Sequence, residues 1–509
     1  MEQILIYSLL SALFLLVAAK LLTRLSSRHK NLPPSPFALP ILGHLHLLKE
    51  PLHRTFFNLS QKYGPIFYLR AGSRRLLVVS SPSAVQECFT KNDIVFANRP
   101  RLIIGKYVGY NSSTLGLASY GDHWRNLRRL CTVEVFSSHR LNLSLDIRRD
   151  EVNRLLRRLY QVSANGFGKV ELKSMFSDLT FNIVLRMIAG KRYFGEEVKS
   201  EEGTKFQEMI KELFELTVSS YPGDFFPILQ LVDYNGYIKR IKELGYRTDE
   251  LMQGMIDEHR RKKGDPTLKN TMITHLLSLQ ESQPEYYTDE IIKGIIQVIL
   301  NAGTDTTALT LEWIMSNLLN HPHVLIKSRD ELIKNIGQER LVEEADLSKL
   351  PYLQNIISET LRLYPVAPLL VPHFSSDDCN IGGYDIPKET ILMVNVWAIH
   401  RDPEVWEDPM SFKPERFESK SKEMSDHNTT YKVLPFGLGR RACPGMGLAQ
   451  HVLGLILGSL IQCFEWKKMS EKEIDMAEGQ GLTMPKIEPL EAMCKAGAIA
   501  NKVLAKVVT

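Results

Sequence analysis

The run 436–445 holds Cys443 in a loop lined by Gly437, Gly439 and Gly445 and flanked by Arg440 and Arg441, just ahead of an apolar helix. A thiolate stays ionised at neutral pH only where cations or hydrogen-bond donors surround it, and glycines let backbone N–H groups approach the sulfur closely. A fold that carries this loop must therefore hold it against charged and helical neighbours. Those surroundings suit a cysteine that acts as a thiolate, as a metal ligand does. A buried structural cysteine is the alternative for any single Cys.

Ahead of that loop the chain is dominated by helical periodicity. Apolar residues recur at three- and four-residue spacing over 140–161, 174–190, 204–219, 233–263, 288–320, 322–335 and 351–363. Pro322 and Pro365 mark helix boundaries, and Gly264, Asp265 and Pro266 form a turn signal. Short β-type runs occupy 66–70, 75–79, 380–386 and 390–394. No repeat, low-complexity tract or linker interrupts the sequence after Pro40. The expected fold is mainly α with a small β portion, one large domain over 43–509 in which helices build a pocket for a flat apolar cofactor. A charge of +5, from 63 basic and 58 acidic residues, does not argue for nucleic acid, and no basic tract interleaves aromatics. Cys88, Cys131, Cys379, Cys443, Cys463 and Cys494 show no C-x-x-C spacing or clustering, so a reduced, cytosol-facing chain is expected.

Residues 4–19 are uncharged and mostly apolar, and Leu21 and Leu22 extend the stretch past a snorkelling Lys20. About 19 helical residues at roughly 1.5 Å each nearly cross a hydrocarbon core of about 30 Å. A cleaved signal peptide would need a basic segment before the run. Here Glu2 precedes it, while Lys20, Arg24, Arg28, His29 and Lys30 follow and keep that side in the cytosol. The reading is an uncleaved anchor over 1–23, then a basic and proline-rich hinge over 24–42 stiffened by Pro33, Pro34 and Pro36.

Within the helical stretch 288–320, Ala302, Gly303, Thr304, Asp305, Thr306 and Thr307 interrupt an apolar run. Polar residues in mid-helix normally mean a solvated face or a local backbone hydrogen bond. The apolar flanks argue against solvent. The small pair Ala302 and Gly303 leaves room for a planar cofactor, Thr306 would loosen the backbone ladder and present its hydroxyl, and Asp305 is a candidate proton source if burial raises its pKa.

These two segments resemble the haem loop F-x-x-G-x-R-x-C-x-G and the oxygen-activating segment [AG]-G-x-[DE]-T-[TS] of cytochrome P-450 enzymes, at every fixed position. Glu359 and Arg362 resemble the family's E-x-x-R element, and 414–417 its P-E-R-F element. The resemblance extends over essentially the whole chain and is nearest to plant microsomal members, the isoflavonoid and phenolic hydroxylase group. It implies the cytochrome P-450 fold, haem b ligated by Cys443, and oxygen chemistry served by Asp305 and Thr306. It also implies propionate contacts from Trp124, Arg128, Arg441 and His373, with Phe436 in the cofactor loop. Glu359, Arg362 and Arg416 would form a structural cluster; if it is buried, removing one partner costs on the order of 3–5 kcal/mol.

The implied activity is monooxygenation, in which O2 is activated with electrons from NADPH through a separate NADPH-cytochrome P-450 reductase, with cytochrome b5 as an accessory donor. Arg125, Arg129, Arg440 and Lys432 would steer an acidic donor. No nucleotide-binding glycine loop is present, so the reductase is another protein. By the same resemblance the pocket draws on 101–118, 219–226, 297–304, 367–371 and 482–483, with Ile103, Phe225, Ile299, Ala302, Leu369 and Thr483 as lining residues. Apolar walls with few donors suit a small aromatic or terpenoid plant metabolite. The location implied is the endoplasmic reticulum membrane, single-pass, with the catalytic domain in the cytosol. Two alternatives remain: a haem-dependent isomerase or dehydratase, which typically lacks the acid–alcohol pair, and a non-catalytic haem electron carrier, which would need a second protein ligand.

Overall fold

Helical periodicity becomes, in a computed structural model, the helices α1 (Leu52–Tyr63), α2 (Pro82–Phe89), α3 (Asp122–Leu130), α4 (Leu145–Val162), α5 (Leu172–Ala189), α6 (Glu201–Val218), α7 (Tyr237–Arg261), α8 (Met272–Ser282), α9 (Asp289–Asn320), α10 (Pro322–Ile336), α11 (Pro351–Leu363) and α12 (Met446–Cys463). The strands are β1 (Ile66–Ala71), β2 (Arg74–Val79), β3 (Gly168–Glu171), β4 (His373–Phe374), β5 (Cys379–Ile381), β6 (Tyr384–Ile386), β7 (Thr390–Val394), β8 (Phe464–Lys467) and β9 (Glu491–Ala496). The structure describes residue 11 and residues 31–195, 201–218, 221–418 and 431–504. Apart from residue 11, the anchor expected over 1–23 lies outside the described residues, as do the hinge residues 24–30 and positions 219 and 220 of the expected pocket.

The strands form a four-stranded sheet in the order β1-β2-β7-β4, a three-stranded sheet β3-β9-β8 and the pair β5-β6. In the first sheet Leu77 of β2 lies opposite Leu392 of β7 in a parallel pair, and His373 of β4 lies opposite the same Leu392 in an antiparallel one. That register fixes where His373 enters the site. The run 380–386, read from sequence as one strand, is a hairpin turned at Gly382 (φ 57°) and Gly383 (φ 83°), conformations that cost L-residues a clash at Cβ. Likewise the helix expected from 233 begins only at Tyr237, because Asn235 and Gly236 take left-handed φ values of 56° and 67°.

Helix α9 organises the packing. The Thr288 hydroxyl accepts the Ile291 N–H at 3.4 Å, Asp289 and Glu290 place negative charge at the positive end of the helix dipole, and Pro322 starts the next helix. Its first half (Ile292, Ile295, Ile296, Ile299, Leu300) joins one apolar core with α3, α7 and α8; its second half (Leu311, Ile314, Met315, Leu318) joins another with α4, α11 and α12. The polar segment 301–307 lies between the two cores, while α5 packs alongside. Helix α12 is long and apolar enough to cross a membrane, yet Leu453, Ile456, Leu457, Leu460 and Ile461 are buried in the second core. Each such side chain contributes about 1.5–3 kcal/mol on leaving water.

Candidate active site

The cysteine loop owes its shape to two glycines and one closing bond. Gly437 and Gly439 take φ values of 69° and 65°, and a Cβ on Gly439 would fall 2.4 Å from Asp93 Oδ1. The Cys443 N–H donates to the Phe436 carbonyl at 2.8 Å, so the loop folds back on itself and Phe436 packs against the core. Cys443 is crowded by neighbouring groups yet remains accessible. Burial pushes its thiol pKa up, while the Gly445 N–H and the Arg128 guanidinium pull the other way.

Around the loop stands a group of cations. Arg441 spans the carbonyls of Ala97 (2.7 Å), Leu115 (3.2 Å) and Ala118, and its guanidinium lies 4.3 Å from the ring centre of Trp124. The Trp124 Nε1–H donates to the same Leu115 carbonyl at 3.2 Å. Arg128 reaches the Ala442 carbonyl at 2.6 Å from α3. The sequence reading missed Arg99, which is 8% exposed and donates to the Val371 and Pro372 carbonyls at 2.7 Å each. Its Nε is buried without a partner. Burial and then the charge of Arg441 draw the Arg99 pKa down to about 9; burial and then Arg128 draw Arg441 down to about 10. Among the described residues no carboxylate pairs with Arg99, Arg128 or Arg441. No periodicity or motif known to the sequence reading singles out Arg99; its one local signal is the helix-breaking Pro100 that follows it.

His373 is 4% exposed, and its Nδ1 lies 2.9 Å from the Phe96 carbonyl, which can only accept. Burial, then Arg99 and Arg441, hold its pKa well below the ordinary value, so the ring is neutral. In that state Nε2 offers a lone pair and not a proton, whereas Arg99 next to it offers a cation.

On α9, Ala302 and Thr306 share a face at the i, i+4 spacing. Ala302 is exposed, and the Thr306 hydroxyl donates to its carbonyl at 2.8 Å. Thr304, Thr307 and Thr310 bond back in the same way, and α9 continues through all of them, so the loosened ladder expected at Thr306 is not seen. Gly303 serves packing: a Cβ there would sit 3.3 Å from Val184 Cγ2 on α5. Asp305, one residue from Thr306, points about 100° away from it around the helix. Its Oδ2 accepts the Thr483 hydroxyl at 3.0 Å. Burial raises the Asp305 pKa; Thr483 and Lys173 oppose that.

The expected structural cluster is formed, with Glu359 and Arg362 fully buried and Arg416 at its edge. Arg362 donates to Glu359 at 2.7 and 2.8 Å, and Arg416 Nε and the Lys413 N–H also reach Glu359, at 3.0 and 2.9 Å. Arg362 then ties down the carbonyls of His400 and Pro409 at 2.6 and 2.8 Å. The expected pocket residues divide between two apolar clusters: Ile103 and Ile299 in one, Leu369 and Phe225 in the other. The Asp224 carboxylate, accepting the Ile103 N–H at 2.8 Å, links the segments. Among the described residues no hydrogen bond joins Asp305 or Thr306 to the cysteine loop. Of the expected steering cations, Arg125, Arg129 and Arg440 are exposed; Arg125 pairs with Asp122 and Arg440 with Asp93.

The donor set fits haem. An accessible cysteine on a glycine loop could supply a thiolate to its iron. Three cations without an acid, one with an orphaned Nε, call for an anionic group such as a pair of propionates.

A sequence model of the family described as Cytochrome P450 matches residues 33–490. The chain is 57% identical to Cytochrome P450 81Q32 of Catharanthus roseus, over 99% of both chains. It is 56% identical to an isoflavone 3'-hydroxylase of Medicago truncatula, over 98% of this chain and 99% of the relative. It is 53% identical to the (+)-piperitol/(+)-sesamin synthase CYP81Q2 of Sesamum radiatum, over 100% and 99%. Its fold matches a zebra fish cytochrome P450 structure with progesterone at a TM-score of 0.74 and 26% identity, covering 88% of this chain and 100% of the other.

Proposed function

The chain belongs to the cytochrome P450 family, in its plant CYP81 group, and from that premise we propose that it hydroxylates or oxidatively couples a small aromatic plant specialised metabolite. It is a monooxygenase of a family that implies haem, a redox partner and a small-molecule substrate. Haem, when bound, supplies the activation of dioxygen with electrons that originate in NADPH and pass through a separate reductase.

The protein's own residues divide the remaining tasks. Cys443 would ligate the metal. Arg99, Arg128 and Arg441, with Trp124, would hold the propionates. Asp305 and the Thr306 hydroxyl would relay protons, and the small Ala302 on the Thr306 face would leave room for a substrate carbon. The observation that carries this reading is the group of buried Arg99 and half-buried Arg128 and Arg441 beside an accessible cysteine, since among the described residues no carboxylate compensates it. Substrate class follows from the apolar residues Ile103, Ile299 and Leu369 together with relatives named for isoflavone hydroxylation and for piperitol and sesamin synthesis. The exposed Arg125, Arg129 and Arg440 suit docking of an acidic donor.

We place the enzyme on the endoplasmic reticulum membrane, with 1–23 as anchor, 24–42 as hinge and 43–509 as the cytosolic catalytic domain. Support comes from exposed apolar side chains at Phe37 (81%), Ile41 (62%), Ile228 (70%) and Leu231 (85%). The two stretches adjoin, because the turn residues Gly72 and Ser73 bond to Leu42 and Phe225.

The test has two arms. Microsomes carrying the protein, supplied with reductase and NADPH, are screened by mass spectrometry against isoflavones and lignans for products that gain one oxygen or lose two hydrogens. Cys443→Ser is examined for the thiolate-type absorption of the reduced CO adduct, which should vanish. A variant that keeps that band rejects the ligand assignment; an intact band with no product from either class rejects the substrate class.

A further inference from the structure

Thr483 falls within a segment that the family resemblance assigns to the substrate pocket, yet its hydroxyl is committed elsewhere: it donates to Asp305 Oδ2 at 3.0 Å. The loop that carries it is held on both sides. Met484, 1% exposed, donates its N–H to the Val366 carbonyl at 2.8 Å and accepts the Trp313 Nε1–H at 2.9 Å. Trp313 lies eight residues beyond Asp305 on α9, so the loop is pinned to the very helix it contacts. Further back, Glu478 bridges to Lys486, and its carboxylate takes hydrogen bonds from His53 (2.9 Å), Arg54 (2.8 Å) and Trp397 (2.8 Å). Between these anchors Leu482 is 40% exposed. The loop thus presents one apolar side chain outward and one hydroxyl to the acid.

We propose that Thr483 is a positioning residue for proton delivery: its hydroxyl, fixed by the pinned 478–486 loop, sets where the Asp305 carboxyl points and how tightly that carboxyl keeps its proton. The inference rests on the reading of Asp305 as the proton-delivering acid. A hydrogen bond to a carboxylate favours the charged form, and burial disfavours it. The charged groups facing Asp305 are few. Lys173 approaches from α5, and Glu312, two turns along α9, feels the same lysine. Removing the hydroxyl leaves burial opposed by Lys173 alone, so Asp305 should hold its proton to higher pH.

The experiment uses the haem-loaded full chain. The infrared carboxyl band that disappears in Asp305→Asn is titrated in wild type, Thr483→Val and Thr483→Ser, and the fraction of NADPH electrons recovered in product is measured across the same pH range. Thr483→Val should bind the Asp305 proton roughly tenfold more tightly, as loss of one hydrogen bond to a charged group implies, and should move the coupling profile by the same amount. Thr483→Ser should return both to wild type. An Asp305 titration unaltered in Thr483→Val overturns the positioning role. If the titration moves but coupling does not, and Asp305→Asn couples like wild type, the assignment of Asp305 as the acid is what fails.

Discussion

At the scale of single residues, the site is a set of groups whose ordinary preferences are left unmet by the protein alone. Arg99 is the sharpest case, a buried guanidinium with carbonyl partners, an orphaned Nε and no acid among the described residues. Charge-assisted hydrogen bonds contribute about 1.5–3 kcal/mol each. Arg99→Met should therefore shed haem roughly ten- to a hundredfold faster, with Arg99→Lys between it and wild type; transfer to a haem scavenger measures this, and a wild-type rate in the Met variant would remove Arg99 from the propionate contacts. Thr306 carries a different expectation. Its hydroxyl already donates to Ala302, leaving its lone pairs for a proton or a water. Thr306→Ala should keep haem and substrate binding while diverting reducing equivalents to peroxide by severalfold; coupling equal to wild type would take Thr306 out of the proton route.

At the scale of elements, α9 is a beam shared by two cores, and its polar segment survives because both flanks are packed. Gly303 shows how closely. In a helix interior Ala is worth about 1 kcal/mol more than Gly, but here the new Cβ meets Val184 Cγ2 at 3.3 Å. Gly303→Ala should destabilise by about 1 kcal/mol in wild type and stabilise in a Val184→Ala background. A double-mutant cycle from thermal or denaturant unfolding reads the coupling; strict additivity would mean that α5 does not set the spacing. The Glu359–Arg362–Arg416 cluster acts at this scale too, as Arg362 ties α11 to the carbonyls of His400 and Pro409 and so holds the chain leading to the cysteine loop. Helix α12 illustrates the converse point. Its apolarity alone is compatible with a membrane span, and only its burial against the other helices assigns it to the core.

Across the whole molecule, buried neutral and paired groups link stability to pH. The His400 Nδ1–H donates to the Arg362 carbonyl and its Nε2 accepts the Leu434 N–H, each at 2.9 Å, an arrangement only the neutral ring can satisfy. Burial and then the charge of Arg362 draw its pKa from 6.5 to about 3. Between those values the unfolded chain binds one proton more than the folded one, so stability falls as pH drops, by up to about 1.4 kcal/mol per unit. Below pH 4.5 Glu478 adds to the loss. There burial is outweighed by hydrogen bonds from His53 and Trp397 and by the charge of Arg401, and the pKa is held at about 2. Unfolding free energy should decline from about pH 6.5 downward, and His400→Gln, which can also donate and accept, should flatten the slope between pH 6.5 and 5. Equal slopes in variant and wild type would show that His400 does not govern acid sensitivity.

Sequence alone determined the mainly helical class, the cysteine loop and the acid–alcohol pair on α9, while the Glu359–Arg362–Arg416 cluster was implied only by the family resemblance of its two motifs. Periodicity and short contiguous motifs are local properties that survive in one dimension. The extent of α9, read as 288–320 and found as Asp289–Asn320, is legible for the same reason: a capping threonine and a following proline bound it. Only the tertiary structure decided that Gly303 spaces two helices, that Arg99 joins Arg441 beside Cys443, and that Thr483 turns its hydroxyl to Asp305. Each of these joins residues distant in the chain, 178 positions apart for Thr483 and Asp305. Such contacts are set by packing, which excludes water and leaves a buried charge or hydroxyl to find the partner that folding brings within reach.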